Sequence, residues 1–323
     1  MRTKIDKAKF EGIASLSITA LSDDFTLNEK ANRDEIDWII DKKANSIWFR
    51  GFIGEWTQLD LNISKQLIKL YGNHAQGRIP VGAGCHGSRP SETIELINYA
   101  DKMGCDFAWV LAPPYPSSQT ESSIYAYFKM VVENTSMPLA VYNSAAMFIY
   151  MTPRVIKNII TMAPDRFVSI KDSYGINSSQ TEVLRSGLAD KVAYFFMASE
   201  MILPVSLGNP HIMCVPQQIP MAKACFEAVQ KGDFKKALKY QHFLVQGGAL
   251  IPPCMHTKPA IPPNLVMFGG MSKVITSEYL GIEMGPPAPP VAVCTKEEAK
   301  IAKAYAQRWK LLDLDAEVPD DEF

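Results

Sequence analysis

Eight short apolar runs, each followed by a stretch of helical periodicity, constrain this chain more than any other feature. They occupy residues 12–19, 46–51, 79–84, 107–112, 139–143, 167–172, 193–198 and 211–215, and from the second onward their starts fall 18 to 33 residues apart. The runs do not alternate apolar with polar, so both faces are buried, as in a parallel sheet covered by helices. Between them, Ile36, Ile39 and Ile40 share one face of 33–43. Ile94, Ile97 and Ala100 form one stripe of 91–103, with Ser91 as its N-cap after Pro90. Segments 120–134 and 152–162 repeat the pattern, and Pro153 stands where a first helical turn accepts proline. Such alternation predicts an α/β fold, a (β/α)8 TIM barrel. A doubly wound open sheet more often carries a glycine fingerprint after its first strand, and residues 20–25 hold no G-x-G-x-x-G.

A barrel of this kind uses about 250 residues, and the chain has 323. Residues 1–232 are assigned to the barrel and 233–323 to a C-terminal helical extension with an acidic tail. Within the extension, 233–247 reads as a helix, and 258–280 and 296–312 each contain one. Residues 285–290, Gly-Pro-Pro-Ala-Pro-Pro, form an extended connector that cannot be regular helix.

A hydrophobic content of 47% with a net charge of −1 excludes a disordered chain. With 33 Lys+Arg against 34 Asp+Glu, no basic surplus exists to displace counterions, so no nucleic-acid partner is expected. Residues 1–10 lack the apolar core of a secretory signal, and no apolar run reaches the roughly 18 residues of a membrane span. The six cysteines form no C-x-x-C pair and no zinc spacing. These features predict a cytoplasmic protein with mostly buried thiols and no membrane partner.

Catalytic groups in a barrel stand at the C-terminal ends of strands. The sixth run, Phe167-Val-Ser-Ile-Lys-Asp172, places Lys171 there. A charged lysine in so apolar a run is costly to bury, and a neutral amine in a dry pocket is the nucleophile for a Schiff base with a carbonyl substrate. The competing reading is a lysine paired with a carboxylate or extended into solvent. The fifth run ends Val141-Tyr142-Asn143. Tyr142 there is either a proton-transfer group or an interior tyrosine with a bonded hydroxyl. Asp172 should face away from the lysine, because strand neighbours alternate.

Several segments in register resemble dihydrodipicolinate synthase and N-acetylneuraminate lyase. They are Gly77-Arg-Ile-Pro-Val-Gly-Ala-Gly84, Ala112-Pro-Pro-Tyr115, Met137-Pro-Leu-Ala-Val-Tyr-Asn143 and Val168-Ser-Ile-Lys-Asp172. Gly51-Phe-Ile-Gly-Glu55 stands where that family carries Gly-Thr-Thr-Gly-Glu. The resemblance implies a Schiff-base lyase or aldolase of class I acting on pyruvate or another 2-oxo acid, without metal or cofactor, as a dimer or tetramer. It implies Lys171 as the imine-forming residue and Tyr142 as its acid/base partner.

The departures from the family pattern bear on substrate. Phe52 and Ile53 replace the two threonines that help bind the pyruvyl carboxylate. Met147 stands where the synthase has an arginine that clamps a dicarboxylate, and Phe196-Met-Ala198 replaces a Gly-Asp-Asp stretch. A pocket wall of Phe52, Ile53, Met147, Phe148, Phe196, Met197 and Met213 leaves polar substrate groups unpaired, at about 1–3 kcal/mol each. The reading is therefore a 2-oxo acid with an apolar or aromatic aldehyde-type partner, in the manner of hydratase-aldolases. Backbone amides from Phe52 to Gly54 remain available for the carboxylate. His86 either faces the mouth in place of a lost hydroxyl or lies in an exposed loop. Tyr115 lines the entrance or a subunit interface, Glu55 caps or braces its loop rather than performing chemistry, with catalysis the alternative, and Trp56 packs or adds to the wall. His211, His242 and His256 form no ligand set, so no metal is expected. Two other outcomes stay open: hydration or dehydration through the same imine, and a ligand-binding relative without turnover.

Overall fold

Strands form at the apolar runs: β1 Gly12–Leu16, β2 Ser46–Phe49, β3 Val81–Gly84, β4 Phe107–Leu111, β5 Leu139–Asn143, β6 Phe167–Asp172, β7 Ala193–Met197 and β8 His211–Cys214. They pair in parallel and in order, and β1 closes on β8 with Gly12 level with His211, so the sheet is a closed (β/α)8 TIM barrel. The computed structural model describes residues 6–113, 120–144, 151–173, 177–249 and 270–311.

Helices α1 Glu29–Asp41, α2 Leu61–Ala75, α3 Pro90–Lys102, α4 Glu121–Asn134, α5 Pro153–Met162 and α6 Asn177–Arg185 follow the first six strands. A short α7 Leu188–Lys191 precedes β7, α8 Ile202–Ser206 precedes β8, and α9 Ile219–Gln230 follows it. Their starts are set by polar caps: Asn28, Asp60, Thr120 and Thr152 accept the amides of Ala31, Ile63, Ser123 and Val155. Ser91 is not a cap. Helix α3 begins at Pro90 with Arg89 before it and no side-chain cap. The incoming loop is fastened instead by the Ser88 and Gly87 amides, which donate to Glu92 and Thr93.

Aromatic rings fill the barrel. Trp48 meets Phe107, Trp109 and Phe195 edge-on at centroid distances of 4.7, 5.4 and 5.2 Å. Phe10, just before β1, closes the N-terminal end against Phe107 and Phe195. Room for these rings requires glycine nearby: a Cβ on Gly82 would lie 2.2 Å from the Phe107 ring. The interior is a packed core, and the site can only be at its C-terminal mouth.

Beyond residue 232, α10 Phe234–Ala249 packs on α9 and α8, tied by the Ile202 amide donating to Gln241. Helices α11 Gly270–Leu280 and α12 Lys296–Leu311 share an apolar seam of Met271, Ile275, Ala302 and Ala306. The proline-rich connector between them runs back to the barrel, where Met284 accepts the Leu21 amide. Gly285 is in a left-handed conformation, φ +70°, and a Cβ there would strike the Leu21 carbonyl.

Cys85, Cys105, Cys214 and Cys225 are buried, and Cys294 is partly exposed. Among the described residues no helix is long and apolar enough to cross a membrane. Tyr115, Met147, Phe148, Cys254, His256 and the acidic tail lie outside the described residues.

Candidate active site

A register irregularity brings the two principal side chains together. Leu139 is level with Phe167, but Ala140 is level with Ser169, so β6 carries one extra residue at its start. From there on Tyr142 is level with Lys171 and shares its face of the sheet. Without the extra residue Tyr142 would stand level with Ile170, and the amine and the phenol would face opposite sides.

Lys171 is 3% exposed. Its Nζ lies 3.8 Å from the centroid of the Tyr142 ring and 5.5 Å from that of Trp109. No ion pair among the described residues involves it. Asp172 faces the other way, where it accepts Tyr194 Oη at 2.6 Å and Asn143 Nδ2 at 3.4 Å. Burial raises the pKa of the Tyr142 phenol. The charge of Lys171 and polar contacts with Lys171, Ser144 and Ser173 outweigh it, and the phenol ends below its ordinary value. A buried amine beside an acidified phenol is suited to attack a carbonyl and to pass protons during the addition.

His86 belongs to the same cluster and is 1% exposed, so the exposed-loop alternative does not hold. Its ring lies 5.8 Å from Tyr142, 4.8 Å from Trp109 and 5.2 Å from Trp56. Nδ1 accepts the Leu111 amide at 3.1 Å. Burial first, then the charges of Arg50 and Lys171, push the imidazole well below its ordinary pKa. The ring is therefore neutral, with its proton on Nε2. The histidine is held in place by Arg50, a buried guanidinium whose Nη1 donates to the carbonyls of Gly84 and His86 at 2.7 and 3.0 Å. Arg50 Nε donates to Ser64 at 2.8 Å.

The loop after β2 is a tight turn between two left-handed residues, Arg50 at φ +58° and Glu55 at φ +59°. The Glu55 and Trp56 amides bond back to Phe52 and Gly51, whereas the Ile53 and Gly54 amides have no backbone acceptor among the described residues. Thr19 donates to the Gly54 carbonyl at 2.8 Å. Phe52 is half-buried and Ile53 buried, both packed on the core. Glu55 is not catalytic in this arrangement. Its Oε2 takes Lys273 Nζ of α11 at 2.9 Å and the Ala288 amide at 3.2 Å, and Lys273 also donates to the Pro286 carbonyl. Both side chains are almost fully buried, so the C-terminal segment is bolted to the β2 turn. Behind the turn, Glu35 accepts Ser17, the Ile18 amide and Tyr71, and burial pushes it up to about 7.

Met213 lies level with Met197, on the inward face that Phe195 shares with Lys171. Phe196, expected in the pocket wall, does not belong there. It stands one residue out of phase with Phe195 and packs on Tyr194, whose hydroxyl serves Asp172 on the helix side of the sheet. His211 lies at the N-terminal end of β8 with Nδ1 on Asn209, remote from the mouth in the strand direction. Among the described residues no group of three or more His, Cys, Asp or Glu is clustered as metal ligands would be.

Trp109, Arg50 and Lys273 are the residues that sequence reasoning passed over. An arginine and a tryptophan inside apolar runs were visible signals for the first two. Lys273 also sits in an apolar stretch, but its partner is remote in sequence.

The sequence pattern of the dihydrodipicolinate synthetase family matches residues 9–251. A 4-hydroxy-tetrahydrodipicolinate synthase of Brucella suis is 29% identical over 83% of this chain and 92% of its own length. A protein of the same name from Methanosphaera stadtmanae is 32% identical over 50% of this chain and 54% of its own length. Among solved structures, a dihydrodipicolinate synthase from Aquifex aeolicus superposes with a TM-score of 0.79 at 20% identity, covering 94% of this chain and 99% of that one.

Proposed function

This chain belongs to the dihydrodipicolinate synthetase family, and we propose from that premise that it is a Schiff-base carbon–carbon lyase or aldolase acting on a 2-oxo acid. The observation that carries the reading is the buried Lys171 amine against the Tyr142 ring, without an acid partner among the described residues.

In the proposed reaction, Lys171 Nζ attacks the 2-oxo carbon. One proton from the attacking nitrogen and one from Tyr142 pass to the oxygen, which leaves as water to give the protonated imine and a Tyr142 phenolate. In the cleavage direction the phenolate takes the proton of the hydroxyl on the carbon two bonds from the imine carbon. The bond joining that carbon to the one next to the imine carbon breaks, its electrons enter the imine as an enamine, and the aldehyde departs. Reprotonation of the enamine and addition of water release pyruvate and return the amine; condensation is the reverse.

Phe52, Ile53, Met197 and Met213 support an apolar or aromatic aldehyde partner, since unpaired polar substrate groups would cost about 1–3 kcal/mol each against such a wall. Assembly into a dimer or tetramer belongs to the same reading, and sedimentation equilibrium tests it.

Sodium borohydride with pyruvate should leave a reduced adduct on Lys171, read by peptide mass spectrometry, and Lys171→Ala should abolish it. Tyr142→Phe should slow adduct formation by about 10²–10⁴-fold, the usual contribution of a positioned acid/base. Aryl-substituted 2-oxo acids that trap on Lys171 and release pyruvate support the lyase. Trapping followed only by loss or gain of water would replace it with a hydratase. No adduct with any 2-oxo acid would leave a ligand-binding relative.

A further inference from the structure

We propose that His86 recognises the substrate carboxylate: its Nε2–H, with the Nε1–H of Trp56 beside it, donates to the carboxylate of the 2-oxo acid that condenses with Lys171. The proposal deepens the Schiff-base reading and rests on it.

Two buried donors point to a ligand. His86 Nε2 and Trp56 Nε1 are both shielded from solvent and have no hydrogen-bond partner among the described residues. Leaving such groups unpaired is unfavourable, and native structures rarely do so without a reason. Their rings touch, 5.2 Å apart, in a T-shaped arrangement. The tautomer is fixed from behind, because the Leu111 amide occupies Nδ1 and leaves the proton on Nε2.

The chemistry of the corner selects an anion. Arg50 and Lys171 both oppose protonation of His86, and the positive potential that disfavours a second cation favours a negative group there. Arg50 is tied to carbonyls and a hydroxyl among its described partners, so its charge is not cancelled by an ion pair there. The nearby carboxylate of Glu55 is neutralised by Lys273 at 2.9 Å.

Position selects a 2-oxo acid in particular. Its carboxylate is bonded to the carbon that the amine attacks, so the donor must belong to the group of rings around that amine. His86 lies 5.8 Å from Tyr142 between ring centroids, and Tyr142 lies 3.8 Å from Lys171 Nζ. Phe52 and Ile53 offer no hydroxyl to that carboxylate. The histidine and the amides of Ile53 and Gly54, which have no backbone acceptor among the described residues, supply the donors in their place.

The test is borohydride trapping on Lys171 as a function of ketone concentration, with pyruvate and with acetone, which lacks the carboxylate. Wild type should trap at far lower pyruvate than acetone concentration. His86→Phe keeps a ring and removes the donor. It should raise the half-saturating pyruvate concentration by about tenfold or more, the loss of one hydrogen bond to a charged group, and shift the acetone dependence far less. His86→Gln, which keeps an N–H, should recover part of the loss, and Trp56→Phe should show a smaller rise. A measurement without variants is the ¹⁵N-labelled His86 Nε2–H resonance, which should move downfield on adding pyruvate and not on adding acetone. Unchanged pyruvate dependence in His86→Phe, equal shifts for both ketones, or an immobile resonance would overturn the assignment while trapping persists. Failure of wild type to trap any ketone would overturn the Schiff-base reading and this proposal with it.

Discussion

Removing one charge from the Glu55–Lys273 pair should destabilise the protein more than removing both. The two groups meet at 2.9 Å with side-chain exposures of 1% and 2%. In Lys273→Met the Glu55 carboxylate keeps only the Ala288 amide on Oε2, and Oε1 already lacks a partner among the described residues. An uncompensated buried charge costs about 3–5 kcal/mol. At roughly 2 °C per kcal/mol for a chain of this size, the midpoint of thermal unfolding should fall by about 6–10 °C. Glu55→Gln strands Lys273 with the Pro286 carbonyl and should cost a similar amount. The double variant removes both charges and should return to within about 1–2 kcal/mol of wild type, because an apolar substitute for a buried pair is often neutral. Differential scanning fluorimetry on all four proteins completes the cycle. The reasoning is refuted if either single variant loses less than about 1 kcal/mol, or if the double variant loses the sum of the two. A turn held by this pair should also loosen in the single variants, seen as proteolytic cleavage near residues 51–58.

Glu35 should make stability depend on pH. Its folded pKa of about 7 lies above the ordinary 4.5, so between these values the native state holds a proton that the unfolded chain has released, and stability falls as pH rises. The loss is at most about 3 kcal/mol. Glu35→Gln should flatten that slope, gaining on wild type above pH 7 and not below 4.5 in urea titrations, and parallel curves would count against it. Phe196→Ala should cost about 3–5 kcal/mol of stability and leave the pyruvate dependence of trapping unchanged. A shifted dependence would put that ring back in the pocket.

The architecture was legible because a parallel barrel writes its strands as unbroken apolar runs, and a period is robust to errors of a residue or two. Lys171 and Tyr142 were legible for a related reason: each ends such a run. Side-chain direction was not, since it depends on parity. The extra residue in β6 that puts Lys171 on the phenol's face leaves no mark in composition. The same parity sends Phe196 outward although its segment ends at the mouth. Ser91 had the right residue type for a cap but stands one position inside a helix that Pro90 starts. His86 read more readily as an exposed loop residue, since Gly87-Ser-Arg-Pro90 follows it. Its burial depends on Arg50 reaching across from β2 for its carbonyl, a contact between residues 36 apart in sequence.

The rings around Lys171 explain how the amine is kept in a dry barrel with no carboxylate paired to it among the described residues. A carboxylate in contact would hold the nitrogen as one half of an ion pair and engage it before substrate arrived. An aromatic face offsets part of the desolvation of the charged amine through its quadrupole, at about 2 kcal/mol or more when dry, without forming an ion pair that substrate would have to break. Trp109 serves this purpose only because its own N–H is satisfied elsewhere, donating to the Phe49 and Gly82 carbonyls at 3.2 Å each. Gly51 leaves the space that its ring fills, since a Cβ there would lie 2.4 Å from the indole. The glycine at the start of the β2 turn thus bears on the amine through tryptophan packing as well as through the turn itself, and a residue with a side chain at 51 should displace the ring that faces Lys171.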